Sequence, residues 1–318
     1  MHPIVYHIAS GQSLFTGCLA IVAAVSLSWS SGQWPNRLRI MLAMLGLILI
    51  VVSSAAIPFW VDTIGLVLFT AFVFFCSGRP RPIKATIRTR HGNEAQRGST
   101  VHATRFNPAS SAATRNAIRW LLLIVVAIAM ACEVPYHFQP KLQLAQDRSL
   151  TVIADSITAG MGSGDPMLRW PQRIEDDHRL DVQDLARPGE TVESAASRNQ
   201  GIVIRGSVVV LEIGGNDLLG STTLAEFEEG LDRLLSLVAD GQRQVVMFEL
   251  PLLPLQHRFG RAQRRLARKH HVHLLPKRLL LDAIQDPSST MDSIHLTESG
   301  HARMAKIVWT VIAPAFDP

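Results

Sequence analysis

Four short stretches in the second half of the chain hold side chains suited to acyl transfer: Ala154-Asp155-Ser156-Ile157-Thr158-Ala159-Gly160, Arg187-Pro188-Gly189-Glu190-Thr191, Gly214-Gly215-Asn216-Asp217 and Asp292-Ser293-Ile294-His295. A serine hydroxyl becomes a nucleophile when an imidazole takes its proton, and the imidazole does this best when a carboxylate orients it. Asp292 and His295, three residues apart, offer that carboxylate and that imidazole. The reaction also needs donors for the oxyanion, and the amides of Ser156 and Gly189 with the side chain of Asn216 could supply them. Plainer readings compete. Ser156 could be a helix cap, Asp292 and His295 a surface pair, and His301 is a rival base six residues on. His270, His271 and His273 hint at a metal, but no third well-spaced ligand accompanies the two that share a strand face, so no metal or cofactor is expected.

These side chains need elements that bring them together. Residues 149–154, 207–213, 244–249 and 271–275 are short β-branched or apolar runs that predict buried strands, with a weaker one at 181–185. Residues 224–238, 259–270 and 297–312 carry helical spacing. Strand and helix alternating over some 170 residues predict a parallel α/β sheet covered on both faces, whose ligands bind beyond the carboxyl ends of the strands. Ser156, Gly189 and Asn216 all follow such ends.

The order and spacing of ADSITAG, ARPGETV, GGND and DSIHLTESGH resemble the SGNH hydrolases, also called the GDSL esterase/lipase family, over essentially all of 149–318. That resemblance implies a three-layer α/β/α sandwich with a parallel sheet. It implies Ser156 as nucleophile, His295 as general base and then acid, Asp292 as the group that orients His295, and Ser156, Gly189 and Asn216 as the oxyanion hole. Asp155 would hold the turn. One departure stands in the first stretch, where the family's glycine before Asp-Ser is Ala154. An added methyl that restricts positive φ would disturb the nucleophile turn.

The first half is different in kind. The chain is 47% hydrophobic and 18% charged with a net charge of +5, yet residues 1–147 hold 12 Lys/Arg against 4 Asp/Glu, and 148–318 hold 19 against 22. Positive charge therefore lies beside apolar runs, which argues against a nucleic-acid partner and for a membrane anchor. Four spans are expected at about 12–29, 40–57, 60–77 and 117–136, with a linker at 139–148 before the domain at 149–318. Nine Lys/Arg and a single acid in 78–119 mark that loop as cytoplasmic, so both termini and the domain would lie outside, in the periplasm if the cell is bacterial. Thr16-Gly17-Cys18 looks like a lipoprotein site but lacks a basic stretch before it, and Cys18, Cys76 and Cys132 build no disulfide framework.

The expected protein is a membrane-embedded serine hydrolase of carboxylic esters, acting on glycan O-acetyl groups or lipid esters. Alternatives are an O-acyltransferase with the same triad or a catalytically silent domain that binds glycan or protein. Arg258, Arg261, Arg264, Arg265, Arg268 and Lys269 form a basic helical stripe, read as a solvated face or as a surface for anionic headgroups. Leu252, Leu253 and Leu255 follow a strand and suit either the cleft or the core.

Overall fold

Apolar helices dominate the first half of the computed structural model, which describes residues 1–30, 36–77, 108–160, 168–292 and 294–317. They are α1 (Pro3–Ala9), α2 (Gln12–Trp29), α3 (Asn36–Val52), α4 (Phe59–Ser77) and α5 (Pro108–Glu133). α2 and α3 cross closely because Gly17 faces Gly46: a Cβ on either would lie 2.6 Å from the other's carbonyl oxygen. Small residues at such a crossing let two backbones pack without intervening side chains. Among the described residues, Gln12–Trp29 and Ala112–His137 are long and apolar enough to cross a bilayer, while Phe59–Phe75 is apolar but shorter.

Two expectations for this half are corrected. The span expected at 40–57 ends at Val52, and residues 53–58 leave the helix. Serines divert the backbone there: Ala55 N donates to Ser53 Oγ at 3.2 Å, Lys277 Nζ donates to Ser54 O at 2.7 Å, and Leu252 N donates to Ser54 Oγ at 2.8 Å. The uncharged part of α3 is thereby shorter than the roughly 20 residues of a full crossing. The loop expected at 78–119 also shrinks, because 108–119 form the first turns of α5; residues 78–107 lie outside the described ones.

The second half comprises β1 (Ser149–Ala154), α6 (Ser156–Ala159), α7 (Trp170–His178), β2 (Asp181–Asp184), α8 (Val192–Asn199), β3 (Val208–Glu212), α9 (Gly215–Leu219), α10 (Leu224–Val238), β4 (Gln244–Phe248), α11 (His257–Lys269), β5 (His273–Leu275), α12 (Lys277–Ile284) and α13 (Glu298–Phe316). The five strands form one parallel sheet in the order β2-β1-β3-β4-β5. Period-two alternation sends Ile153, Val209, Leu211, Val245 and Met247 to one face, under α8, α10 and α11. Val152, Val208, Val210, Val246 and Phe248 go to the other, under α7, α12 and α13. This is the expected three-layer α/β arrangement. From β1 the chain runs outward to β2 and then returns past β1 to β3, so the order reverses between β1 and β3, where open sheets leave a crevice for ligands.

The two halves are joined through buried charge. Arg264 on α11, expected on a solvated stripe, is only 3% exposed. Its guanidinium binds Glu133 at the end of α5 through two contacts of 2.7 and 2.9 Å, and Glu249 after β4 at 2.5 Å. Lys277, also buried, completes the group at 3.5 Å from Glu249 and 3.8 Å from Glu133. Two carboxylates and two cations balance, which is the condition for holding charges away from water. At the rim, Tyr6 Oη donates to Asp282 at 2.7 Å and Arg261 pairs with Asp62 at 3.2 Å. Removing one member of a buried group costs more than the group gains by existing. Arg264→Met should therefore lower stability by about 3–5 kcal/mol, read as an earlier unfolding transition of the full chain in detergent. An unchanged transition would contradict the role given to this group.

Candidate active site

β1 ends in Ala154, and Asp155 caps the four-residue α6 by accepting from Ile157 N at 3.0 Å. Asp155 N in turn donates to Glu212 O at 3.0 Å, which fixes the turn to the end of β3. Ser156 thus stands at the carboxyl edge of the sheet, half-buried. Ala154 does not disturb this turn: it is a buried strand residue, and among the described residues the non-glycine positions with positive φ are Arg179, Leu255 and His271. Its methyl faces the core packed by α7 and α13, where alanine is at no disadvantage.

The loop before α13 brings the imidazole to the serine. Asp292 Oδ1 accepts from the backbone amides of Ile294 and His295 at 3.2 and 2.9 Å, which fixes its carboxylate beside the imidazole. Asp292 Oδ2 lies 2.6 Å from His295 Nδ1, and His295 Nε2 lies 3.0 Å from Ser156 Oγ. The structure brings the three expected residues into one hydrogen-bonded line. Amide donation and the imidazole hold the Asp292 carboxyl down at about 2, so it is ionised at neutral pH. Ser293 lies outside the described residues. His301 is buried beneath α7, where its Nδ1 accepts from Trp170 N at 3.4 Å, and so stands apart from the nucleophile.

Gly189 and Asn216 lie in two loops that are tied together. Asn216 Nδ2 donates to Glu190 O at 2.9 Å, and Val192 N donates to Asp217 Oδ2 at 3.0 Å. Glu190 is itself buried and held by Arg198 Nε at 3.0 and 3.1 Å. Arg187 N donates to Ala154 O at 2.9 Å, which anchors the Gly189 loop to the strand that carries Ser156. Gly189 (φ +72°) and Gly214 (φ +106°) occupy left-handed backbone that favours glycine. An amide nitrogen carries two hydrogens, so Asn216 retains one donor beyond its bond to Glu190.

Behind the serine lies a polar chain that sequence reasoning missed. Glu212, at the end of β3, accepts from Thr158 Oγ1 at 3.0 Å, and Thr158 accepts from Trp170 Nε1 at 2.9 Å. Glu212 and Asp155 are both buried acids. Burial, then the neighbouring Asp155 charge, raises the Glu212 pKa well above the carboxylate range, while burial pushes Asp155 up to about 6 against the pull of its Ile157 amide and of His295. An acid inside an otherwise apolar strand, SVVVLEI, was the available signal. Elsewhere, His270 sits 2.6 Å from Asp232, and no cluster of three potential metal ligands occurs among the described residues.

Residues 155–303 match the model of the GDSL-like Lipase/Acylhydrolase family. Comparison with curated proteins finds no match. Solved structures similar to this chain include the psychrotrophic esterase EstA from a Pseudoalteromonas species, at 17% identity and a TM-score of 0.46, covering 52% of this chain and 97% of that one. TesA matches at 23% identity and a TM-score of 0.46, covering 53% and 99%. Axe2, an acetylxylan esterase from Geobacillus stearothermophilus, matches at 16% identity and a TM-score of 0.43, covering 54% and 96%.

The acid pair has a pH signature. An aspartate titrates near 3.9 when unfolded but Asp155 does so at about 6 in the fold, so the native state binds more protons in that window and stability falls as pH rises through it. Glu212→Gln keeps an acceptor for Thr158 and removes the neighbouring charge. It should raise the melting temperature more at pH 8 than at pH 4; an equal gain at both would contradict the coupling.

Proposed function

We propose that the chain is a membrane-anchored serine hydrolase that cleaves carboxylic esters through an acyl-serine intermediate. The observation that carries this reading is the line from Asp292 Oδ2 to His295 Nδ1 at 2.6 Å and from His295 Nε2 to Ser156 Oγ at 3.0 Å, at the carboxyl edge of a parallel sheet within the stretch that matches the GDSL-like family model. In the first step Ser156 Oγ attacks the ester carbonyl while His295 Nε2 takes its proton, and Asp292 stabilises the imidazolium. The tetrahedral oxyanion would be held by the Ser156 and Gly189 amides and by the free N–H of Asn216. Collapse expels the alcohol with a proton from His295. Water, activated by His295, then attacks the acyl-serine, releases the acid and restores Ser156.

For the anchor, the reading is a four-helix membrane region, with α3 and α4 as its shorter members. The end of α3, the start of α4 and the end of α5 meet the catalytic domain through Ser53, Asp62 and Glu133, and Gly11 at the start of α2 packs beside Ser53 and Glu133. At the opposite ends stand Arg37, Arg39, Arg115 and Arg119. Aromatic and guanidinium groups gather there: Trp29 and Trp120 lie 5.3 Å apart, and Arg119 donates to Ser28 O at 2.9 Å. An up-and-down bundle with basic residues at one end and the domain at the other fits a cytoplasmic basic end and an extracytoplasmic domain.

Hydrolysis of nitrophenyl acetate by the full chain tests the chemistry. Ser156→Ala should abolish turnover in folded protein, Asp292→Asn should lower it by roughly 10²–10⁴, and Asn216→Ala by roughly 10²–10³. Turnover that survives Ser156→Ala would overturn the reading.

A further inference from the structure

The catalytic residues and the anchor meet at the same edge of the sheet. Leu252 follows β4 and Lys277 opens α12 after β5, and both bind Ser54 just past α3, while Arg264 joins Glu249 after β4 to Glu133 at the end of α5. Ser156 follows β1, two strands from β4, or about 10 Å at the usual strand spacing. Because every strand is parallel, the crevice that holds Ser156 faces the side on which the apolar helices dock. Leu219 in α9, Leu253 in the loop after β4, and Ile294 beside His295 are exposed there.

A cavity of about 260 Å³ lies among the apolar helices in the half nearest the domain. Ile21, Ile50, Phe69 and Val125, one from each of α2, α3, α4 and α5, line it. It exceeds the ~150 Å³ of an apolar protein cavity that stays dry and binds benzene. Asp62, its one carboxylate, is engaged by Arg261 at 3.2 Å, and His257 at the lip is held by Ser53 O at 2.7 Å. Those polar groups sit at the mouth, and the interior is hydrocarbon in character.

The lip is closed by Leu255, from the catalytic domain. This leucine is 74% exposed and held at φ +69°. A branched, exposed side chain gains nothing from left-handed backbone, and strain of this kind persists where the surroundings impose it, commonly at ligand clamps. The next residue, Gln256, reaches Leu218 O at 3.5 Å in α9, the helix that carries Asn216. One loop therefore borders both the cavity and the oxyanion side of the site. Nearby, Arg261, Arg265 and Arg268 with Tyr136 line a cleft of about 450 Å³ at the level of the helix ends, where lipid phosphates lie.

We propose that this cavity receives the hydrocarbon chain of a membrane-resident acyl ester, so that the substrate is a lipid ester taken from the bilayer and not a soluble glycan acetate; this rests on the hydrolase reading above. The exposed leucines at the site edge sit in the acyl region, the cavity takes the chain, and the carbonyl reaches Ser156 at the membrane surface.

The test uses the full chain in phosphatidylcholine nanodiscs and nitrophenyl esters of two to sixteen carbons. The expected result is a kcat/KM that climbs with chain length, by about fourfold for each methylene that enters the cavity. Gly65→Leu fills the cavity, where an added Cβ meets only Val125 at 3.6 Å, and should cut the ratio of long-chain to acetyl kcat/KM at least tenfold. Leu255→Asn keeps a residue that tolerates left-handed backbone, so it folds without the apolar lip and should lower the same ratio. Acetyl turnover without a rise along the series, or a ratio untouched by both variants, would overturn this proposal while leaving the hydrolase reading in place. Inactivity of the folded parent on every ester would overturn the hydrolase reading and this proposal with it.

Discussion

Four charges held away from water constrain this molecule. Glu133, Glu249, Arg264 and Lys277 come from α5, the end of β4, α11 and the start of α12; the last three leave one cation in excess, which only Glu133 of the other half balances. A lone buried charge costs several kcal/mol, and no member can move out without stranding the others. The group is therefore poor glue in net terms and strong as a specification of geometry. It dictates that the carboxyl edge of the sheet, and no other edge, meets the ends of the apolar helices. Residues 53–58 complete the joint by giving up helix hydrogen bonds for contacts with Leu252, His257 and Lys277.

The same edge carries the proposed catalytic residues. Reversal of strand order between β1 and β3 opens the crevice, Ser156 and Asn216 follow those two strands, and the loop before α13 brings His295 across to the serine. Beneath them the polar run through Glu212, Thr158 and Trp170 ties the ends of β3 and α6 to α7. Keeping two acids buried behind a nucleophile costs stability at neutral pH. The local return is a nucleophile turn pinned from below, since Asp155 caps α6 through its side chain and pairs with β3 through its backbone.

Local patterns in the sequence revealed the sheet and singled out the proposed site residues because both are short-range signals. The β-branched and apolar runs at 149–154 and 244–249 needed no distant partner to be read, and Leu224–Val238 forms the helix its spacing predicts, capped by Thr223 and Glu226. What stayed hidden depends on partners far along the chain. The apolar run through Ala55-Ala56-Ile57 looks like more membrane helix until Lys277 and Leu252 claim Ser54. Arg264 matches its solvated neighbours in type and spacing, and its burial is explained by Glu249 together with Glu133, 131 residues away. The helices α7, α8 and α12 span only eight or nine residues, too few turns for a periodic signal, and packing against the sheet is what makes them helical. Ala154 was misjudged although it closes the strand expected at 149–154: its φ is not positive, so the position makes no demand for glycine.

The central claim is that Ser156 is an activated nucleophile, and covalent labelling addresses it without knowledge of the natural substrate. The full chain would be treated with a fluorophosphonate and the adduct located by peptide mass spectrometry, beside His295→Ala. The account predicts phosphonylation at Ser156 in the parent and far slower labelling in the variant. A folded parent that stays unlabelled, or that is labelled at another residue, would contradict it.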